Sequence, residues 1–111
     1  MGKSQREKGA RAERSVAKIL NDHGFPARRG MVFVKEPDVI CDSLPLHLEI
    51  KFQEVTKIHD WMRQSIEQSR GLIPTVVHKR SREEWLITMR FEDFLDFISS
   101  GNAKERNEND D

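Results

Sequence analysis

A chain of 111 residues can fold around a single core of two packed layers and is too short for two, so one domain over residues 1–99 is expected. Charged residues make up 34% and apolar residues 36%; no run approaches the roughly 20 apolar residues of a membrane span, and the start Met-Gly-Lys-Ser-Gln-Arg-Glu-Lys lacks the apolar core of a signal peptide, which excludes membrane and secretory roles and leaves a cytoplasmic protein as the expectation. The formal net charge of zero hides a gradient: residues 1–35 carry nine Lys+Arg against three Asp+Glu, whereas residues 92–111 carry two against seven, so the N-terminal third suits a polyanion and the C-terminal end does not.

The first element expected is a helix over residues 6–22, with Ser4 as its candidate N-cap and Gly24 just beyond its end. Ala12, Val16, Ile19 and Leu20 mark the apolar stripe, Glu13 points inward with them, and Arg6, Arg11, Arg14 and Lys18 take the other faces. Burying an unpaired carboxylate is costly. Glu13 therefore either serves a site or sits at the edge of the stripe, paired with a nearby arginine. A strand over residues 25–34 follows, entered through Pro26, with Arg28 and Arg29 beside Gly30. Adjacent strand residues point to opposite faces, so only one of the two arginines can look into a cleft.

Two short strands come next, over residues 38–42 and 46–53, joined by Ser43-Leu44-Pro45. The second alternates, with Leu46, Leu48, Ile50 and Phe52 on one face and His47, Glu49 and Lys51 on the other. A hairpin here brings Asp38 beside Glu49. The single cysteine, Cys41, cannot close an intramolecular disulfide and reads as a small buried side chain. A helix beginning near residue 56 or 59 runs to residue 70 and is ended by Gly71; its thin apolar stripe is Trp61, Ser65 and Gln68 or Ile58, Met62 and Ile66. A β-branched run over residues 73–78 suits a central strand, a charged turn over residues 80–84 leads to a strand over residues 85–89, and a helix over residues 91–99 closes the fold through Phe91, Phe94, Leu95 and Ile98. Residues 100–111 are polar, Asn-rich and acidic, and are expected to be disordered. The order α-β-β-β-α-β-β-α is an α/β fold, a mixed central sheet flanked by helices, with the charged face of the third strand near the open edge of the sheet.

Phosphodiester hydrolysis needs a divalent metal held by hard oxygens, a deprotonated water and neutralisation of charge at phosphorus. Asp38 and Glu49 offer carboxylates, the backbone carbonyl of Ile50 a third ligand, and Lys51 a group to orient or deprotonate the water. Glu13 adds a further carboxyl, direct or through water, if it faces the same cleft. So few protein ligands suit Mg2+, which keeps several waters.

These residues also resemble a family. Pro37-Asp38 followed by Glu49-Ile50-Lys51 resembles the PD-(D/E)xK nuclease pattern, and Gly9-Ala10-Arg11-Ala12-Glu13-Arg14 resembles the first helix of phage and archaeal-type Holliday-junction resolvases, where a glutamate at the position of Glu13 completes the site. Pro74 to Arg80, followed by Trp85-Leu86-Ile87-Thr88-Met89, is similar to the tail of small phage-encoded members. The resemblance implies a restriction-endonuclease-like core and a Mg2+-dependent endonuclease, with Mn2+ able to substitute, that cuts four-way DNA junctions inside a bacterial host. It implies metal binding by Asp38 and Glu49, catalysis by Lys51, support from Glu13 and a positioning role for Gln64, with Gln68 ranked second. Cutting two opposed strands implies a homodimer, with the helix of Trp61 and Met62 as a candidate interface. The short loop between Gly30 and Pro37 lacks the serine of many archaeal resolvases, a departure that bears on junction specificity. Arg11, Arg14, Arg28, Arg29, Lys35, Lys79, Arg80 and Arg82 are the candidate DNA-backbone contacts. His23, His47, His59 and His78 show no metal-ligand spacing; His47 shares the face of Glu49 and Lys51, and Trp61 and Trp85 read as core or interface. Nicking, flap or duplex cleavage by the same fold is the alternative, and an inert nucleic-acid-binding module is a third reading that the complete residue set argues against.

Overall fold

A computed structural model describes residues 2–110, with side chains over residues 2–100. Helix α1 (Lys3–Asp22) starts earlier than its apolar pattern suggests: Gly2, in extended backbone, is the N-cap, no side chain caps the helix, and Ser4 lies inside it. Its end follows the expectation. Gly24 takes φ 87°, and the N–H groups of Gly24 and Phe25 donate to the carbonyls of Asn21 and Leu20, the left-handed closure that glycine permits. Ala12, Val16 and Ala17 form the buried stripe, whereas Ile19 stays exposed.

Five strands form one sheet: β1 (Arg28–Arg29), β2 (Val39–Ile40), β3 (Leu46–Phe52), β4 (Ile73–Lys79) and β5 (Leu86–Met89), in that spatial order. The β3–β4 pair is parallel and the others are antiparallel, as a mixed sheet requires. The strand expected over residues 25–34 shrinks to Arg28–Arg29, because the chain leaves the ladder into a 3-10 turn at Val32–Val34. A second expectation is overturned: β3 is the middle strand, not one near an open edge. It is paired on both sides and covered on both faces, so His47 and Glu49 are buried along with Leu46, Leu48 and Ile50.

Those two faces define the core. Ala12, Val16 and Ala17 of α1 pack on Val39, Cys41, Leu46, Leu48 and Ile50, while Trp61 and Met62 of α2 (Ile58–Gln68) pack on Val76 from the other side. Cys41 is thus the buried filler expected. Trp61 and Met62 are core residues and cannot be the exposed face of a dimer; their burial follows from the 3.6-residue period, which points Trp61, Met62 and Ser65 at β4. Helix α2 ends through Arg70 and Gly71, both at positive φ.

Helix α3 (Phe91–Asp110) departs most from expectation. Phe91, Phe94, Leu95 and Ile98 do not close the fold, for they remain 39–73% exposed. Helix α3 runs on past residue 99, its expected end, to Asp110, and the expectation of disorder over residues 100–111 falls almost wholly on residues whose side chains are outside those described. Among the described residues no helix is long and apolar enough to cross a membrane.

Candidate active site

The register of β2 on β3 assembles the acidic pair. Val39 stands opposite Leu48, so antiparallel pairing carries the preceding residue, Asp38, to a place opposite Glu49. Asp38 Oδ2 then accepts the Ile50 N–H at 2.9 Å, its side chain replacing a ladder carbonyl at the point where β2 begins. Pro37, which has no N–H to offer, ends the pairing there.

Gly30 holds this corner in place. Its N–H donates to the Asp38 carbonyl at 2.9 Å, and a Cβ on it would lie 1.7 Å from the Pro37 carbonyl oxygen. Only a hydrogen fits. Gly30→Ala is therefore expected to displace Pro37 and Asp38, lowering stability by about 1–3 kcal/mol and cleavage more steeply. Thermal melting and a cleavage assay on the same preparation check this; a variant that melts and cuts like the parent would refute the close approach.

Glu49 is 7% exposed, and burial, followed by the charge of Asp38, pushes its carboxyl up to about 8 against the attraction of Lys51. Glu13 comes to the same neighbourhood from α1. Its Oε1 accepts from Arg29 Nε at 3.0 Å; burial above all, then the Asp38 charge, raises its proton affinity against that bond. Of the two alternatives for Glu13, the arginine pairing is present, from β1 rather than from its own helix, and Glu13 also lies near enough to Asp38 and Glu49 for their charges to be felt. Lys51, two residues along β3 from Glu49, donates to Gln64 Oε1 at 3.4 Å. That contact singles out Gln64 from Gln68, although both line the cleft.

The cleft itself, about 530 Å³, is lined by Asp38, Glu49, Gln64 and Gln68 together with Lys35, Glu36, His47, Glu67 and Arg70. His47 is buried, which holds its imidazole below the usual range, and its Nδ1 has no hydrogen-bond partner, Glu49 Oε1 being 3.7 Å away. Of the candidate backbone contacts, only Lys35 lines this cleft. Arg29 is tied to Glu13, and Arg14 stands close enough to act on the Glu13 charge. Arg11 and Lys79 line a neighbouring groove around Phe52 and Trp85, with Lys79 Nζ above both rings at 5.4 and 5.6 Å. Arg28 is paired with Glu36; Arg80 and Arg82 belong to the turn after β4, where Ser81 is bonded to Glu54. Arg70 and Gly30 carry no helical or strand periodicity, and their part in the site is visible only once the chain is folded.

Among the described residues no three His, Cys, Asp or Glu side chains converge as a ready metal cage. The donor set is instead two facing carboxylates beside a backbone carbonyl, the sparse oxygen set that suits a divalent ion keeping its own waters. The pair also fits in charge: burial and then the Asp38 charge push the Glu49 carboxyl up to about 8, and a cation would relieve the same repulsion.

A mixed sheet between helices, with Pro37-Asp38 and Glu49-Ile50-Lys51 meeting on its middle strands, defines a PD-(D/E)xK nuclease with a restriction-endonuclease-like fold. The chain belongs to the family described as "Phage putative PDDEXK endonuclease", whose model matches residues 4–108. Among solved structures it is similar to Hjc of Archaeoglobus fulgidus, a Holliday junction resolvase from an archaeal hyperthermophile, at 27% identity and a TM-score of 0.59, over 74% of this chain and 72% of that one. No curated protein matches the chain. It is an endonuclease-family protein, and nucleases of its class generally use divalent metal ions.

Proposed function

We propose that this protein is a magnesium-dependent endodeoxyribonuclease that resolves four-way DNA junctions as a homodimer, its nuclease domain spanning residues 1–99. The reading rests on one observation above all: the half-buried Asp38, just before β2, faces the buried Glu49 of β3, with Lys51 two residues further along the same strand. Asp38, Glu49 and the Ile50 carbonyl would hold Mg2+, or Mn2+ in its place, with Glu13 in support through water. When bound, such an ion supplies Lewis-acid stabilisation of charge on the phosphoryl oxygens and makes a nearby water more acidic.

The chain's own residues do the rest. Lys51 orients the attacking water and offsets charge as it builds on phosphorus, while Gln64 fixes the Lys51 ammonium by accepting its hydrogen bond. Asp38 is anchored by the Ile50 N–H, which fixes the aim of its carboxylate beside Glu49. Arg29 holds Glu13 beside the acidic pair and offsets its charge there. Arg11, Arg14 and Lys79 add sequence-independent affinity for the backbone around the site. The setting is a phage protein acting in the cytoplasm of a bacterial host.

Preference for a junction rests on likeness to the archaeal resolvase, and paired cuts in opposed strands call for two sites. The short Gly30–Pro37 connection favours a second reading, the same chemistry on nicks, flaps or plain duplex. Cleavage rates on a four-way junction, a flap and a linear duplex of matched sequence separate them. The junction is expected to be cut in opposed strands at least about tenfold faster than duplex, a transition-state difference of ~1.4 kcal/mol; equal rates on all three would refute resolution and keep the nuclease.

A further inference from the structure

Two cations of the cleft have no part in the chemistry above. Lys35 enters it from the β1–β2 connection and Arg70 from the α2–β4 turn, so they approach from either side of β3 in the sheet order. Both are exposed, and among the described residues neither has an ion-pair partner, whereas Arg28, Arg29, Arg63 and Arg90 are each tied to a carboxylate. Both also stand in left-handed backbone, at φ 55° and 47°, a conformation shared among described non-glycine residues by Arg82 alone. A side chain with a Cβ pays strain there unless its surroundings fix it.

The surroundings do fix it. Lys35 is set by its N–H donating to the Val32 carbonyl at 3.1 Å, and Arg70 by the turn that spans it and Gly71, closed by the Leu72 N–H donating to the Ser69 carbonyl at 3.0 Å. Two acids share the wall. Glu36 is satisfied within its own loop by Arg28 and the Met31 N–H, and Glu67 lies on the exposed side of α2. His47, buried with Nδ1 unpartnered, lines the cleft between the β2 and β4 sides. A polyanion entering a cleft built around Asp38 and Glu49 meets repulsion at every phosphate except where free cations oppose it. Guanidinium binds phosphate as a two-pronged fork and ammonium as a point charge.

We propose that Lys35 and Arg70 clamp one DNA backbone phosphate adjacent to the scissile one, fixing how far the strand slides along β3. The clamp rests on the nuclease reading and adds to it a residue, Arg70, that sets the register of cleavage. It is tested with the full chain, Mg2+ and a four-way junction carrying a single neutral methylphosphonate, moved one position at a time through the phosphates flanking the cut, under single-turnover conditions.

The parent is expected to lose about tenfold in rate at one flanking position, the scale of one charge-assisted contact. Arg70→Ala and, separately, Lys35→Ala lose a similar factor on unmodified DNA and little more when that phosphate is neutral. Arg70→Lys recovers part of the loss, since it keeps the charge without the fork. Losses that multiply at every position, or an Arg70→Ala variant that cuts unmodified DNA at the parental rate, would overturn the clamp while leaving the nuclease reading intact. A parent chain that cuts no DNA at all overturns both.

Discussion

Glu49→Gln is expected to abolish cleavage and yet to make the metal-free protein more stable. The folded-state carboxyl of Glu49 is raised to about 8 by burial and by Asp38, against 4.5 for the ordinary side chain. A raised acid binds its proton more tightly in the folded state, so the contribution is intact at low pH and is lost as pH climbs from about 4.5 towards 8. Glutamine copies the protonated form and does not titrate. The variant should match the parent near pH 4 and gain on it through that window, reaching on the order of 2–4 kcal/mol at mildly alkaline pH.

Magnesium should reverse the ranking, because stabilisation by a ligand requires a site that binds it. The parent's melting temperature should rise with Mg2+, more at pH 8 than at pH 6 because a proton must leave, while Glu49→Gln should not respond. Melting curves across pH with and without Mg2+ read both effects. A Glu49→Gln variant less stable than the parent at pH 8 without metal would show that the two carboxyls are not crowded as described.

Lys51→Ala carries the second large effect. Lys51 is half-buried, and its hydrogen bond to Gln64 is long, so its removal should cost little stability, within about 1 kcal/mol. Its loss from the site removes the group that orients the water and opposes phosphoryl charge, for which a drop of roughly 10²–10⁴ in the cleavage step is typical. Junction affinity should change far less, because most of it comes from cations elsewhere. Single-turnover rates at saturating DNA separate the step from binding; a loss confined to affinity would make Lys51 a backbone contact only.

The parts of this molecule legible in its sequence are those set by local spacing. Gly24 marks the end of α1 because a left-handed closure needs it, and Asp38 meets Glu49 because a short antiparallel turn leaves little choice of register. What the sequence hid is non-local. The alternation of His47, Glu49 and Lys51 with apolar residues looks like a half-exposed strand, and only its pairing with β2 on one side and the distant β4 on the other makes β3 central, with two of the three buried. Trp61 and Met62 sit on a stripe too thin to distinguish core from interface until Val76 is seen beneath them. The close approach of Gly30 to Pro37, and the left-handed backbone of Lys35 and Arg70, belong to turns whose shape is imposed by what they pack against. The α3 stripe of Phe91, Phe94, Leu95 and Ile98 was plain as a periodicity, but periodicity says nothing about what covers a face.

The central claim, that Asp38 and Glu49 hold a divalent ion for DNA hydrolysis, is tested most directly by incubating a synthetic four-way junction with the parent and with Asp38→Asn, each with Mg2+ and with chelator. The parent should cut in Mg2+ alone and Asp38→Asn in neither condition; cleavage by the parent in chelator, or by Asp38→Asn at the parental rate, would contradict it.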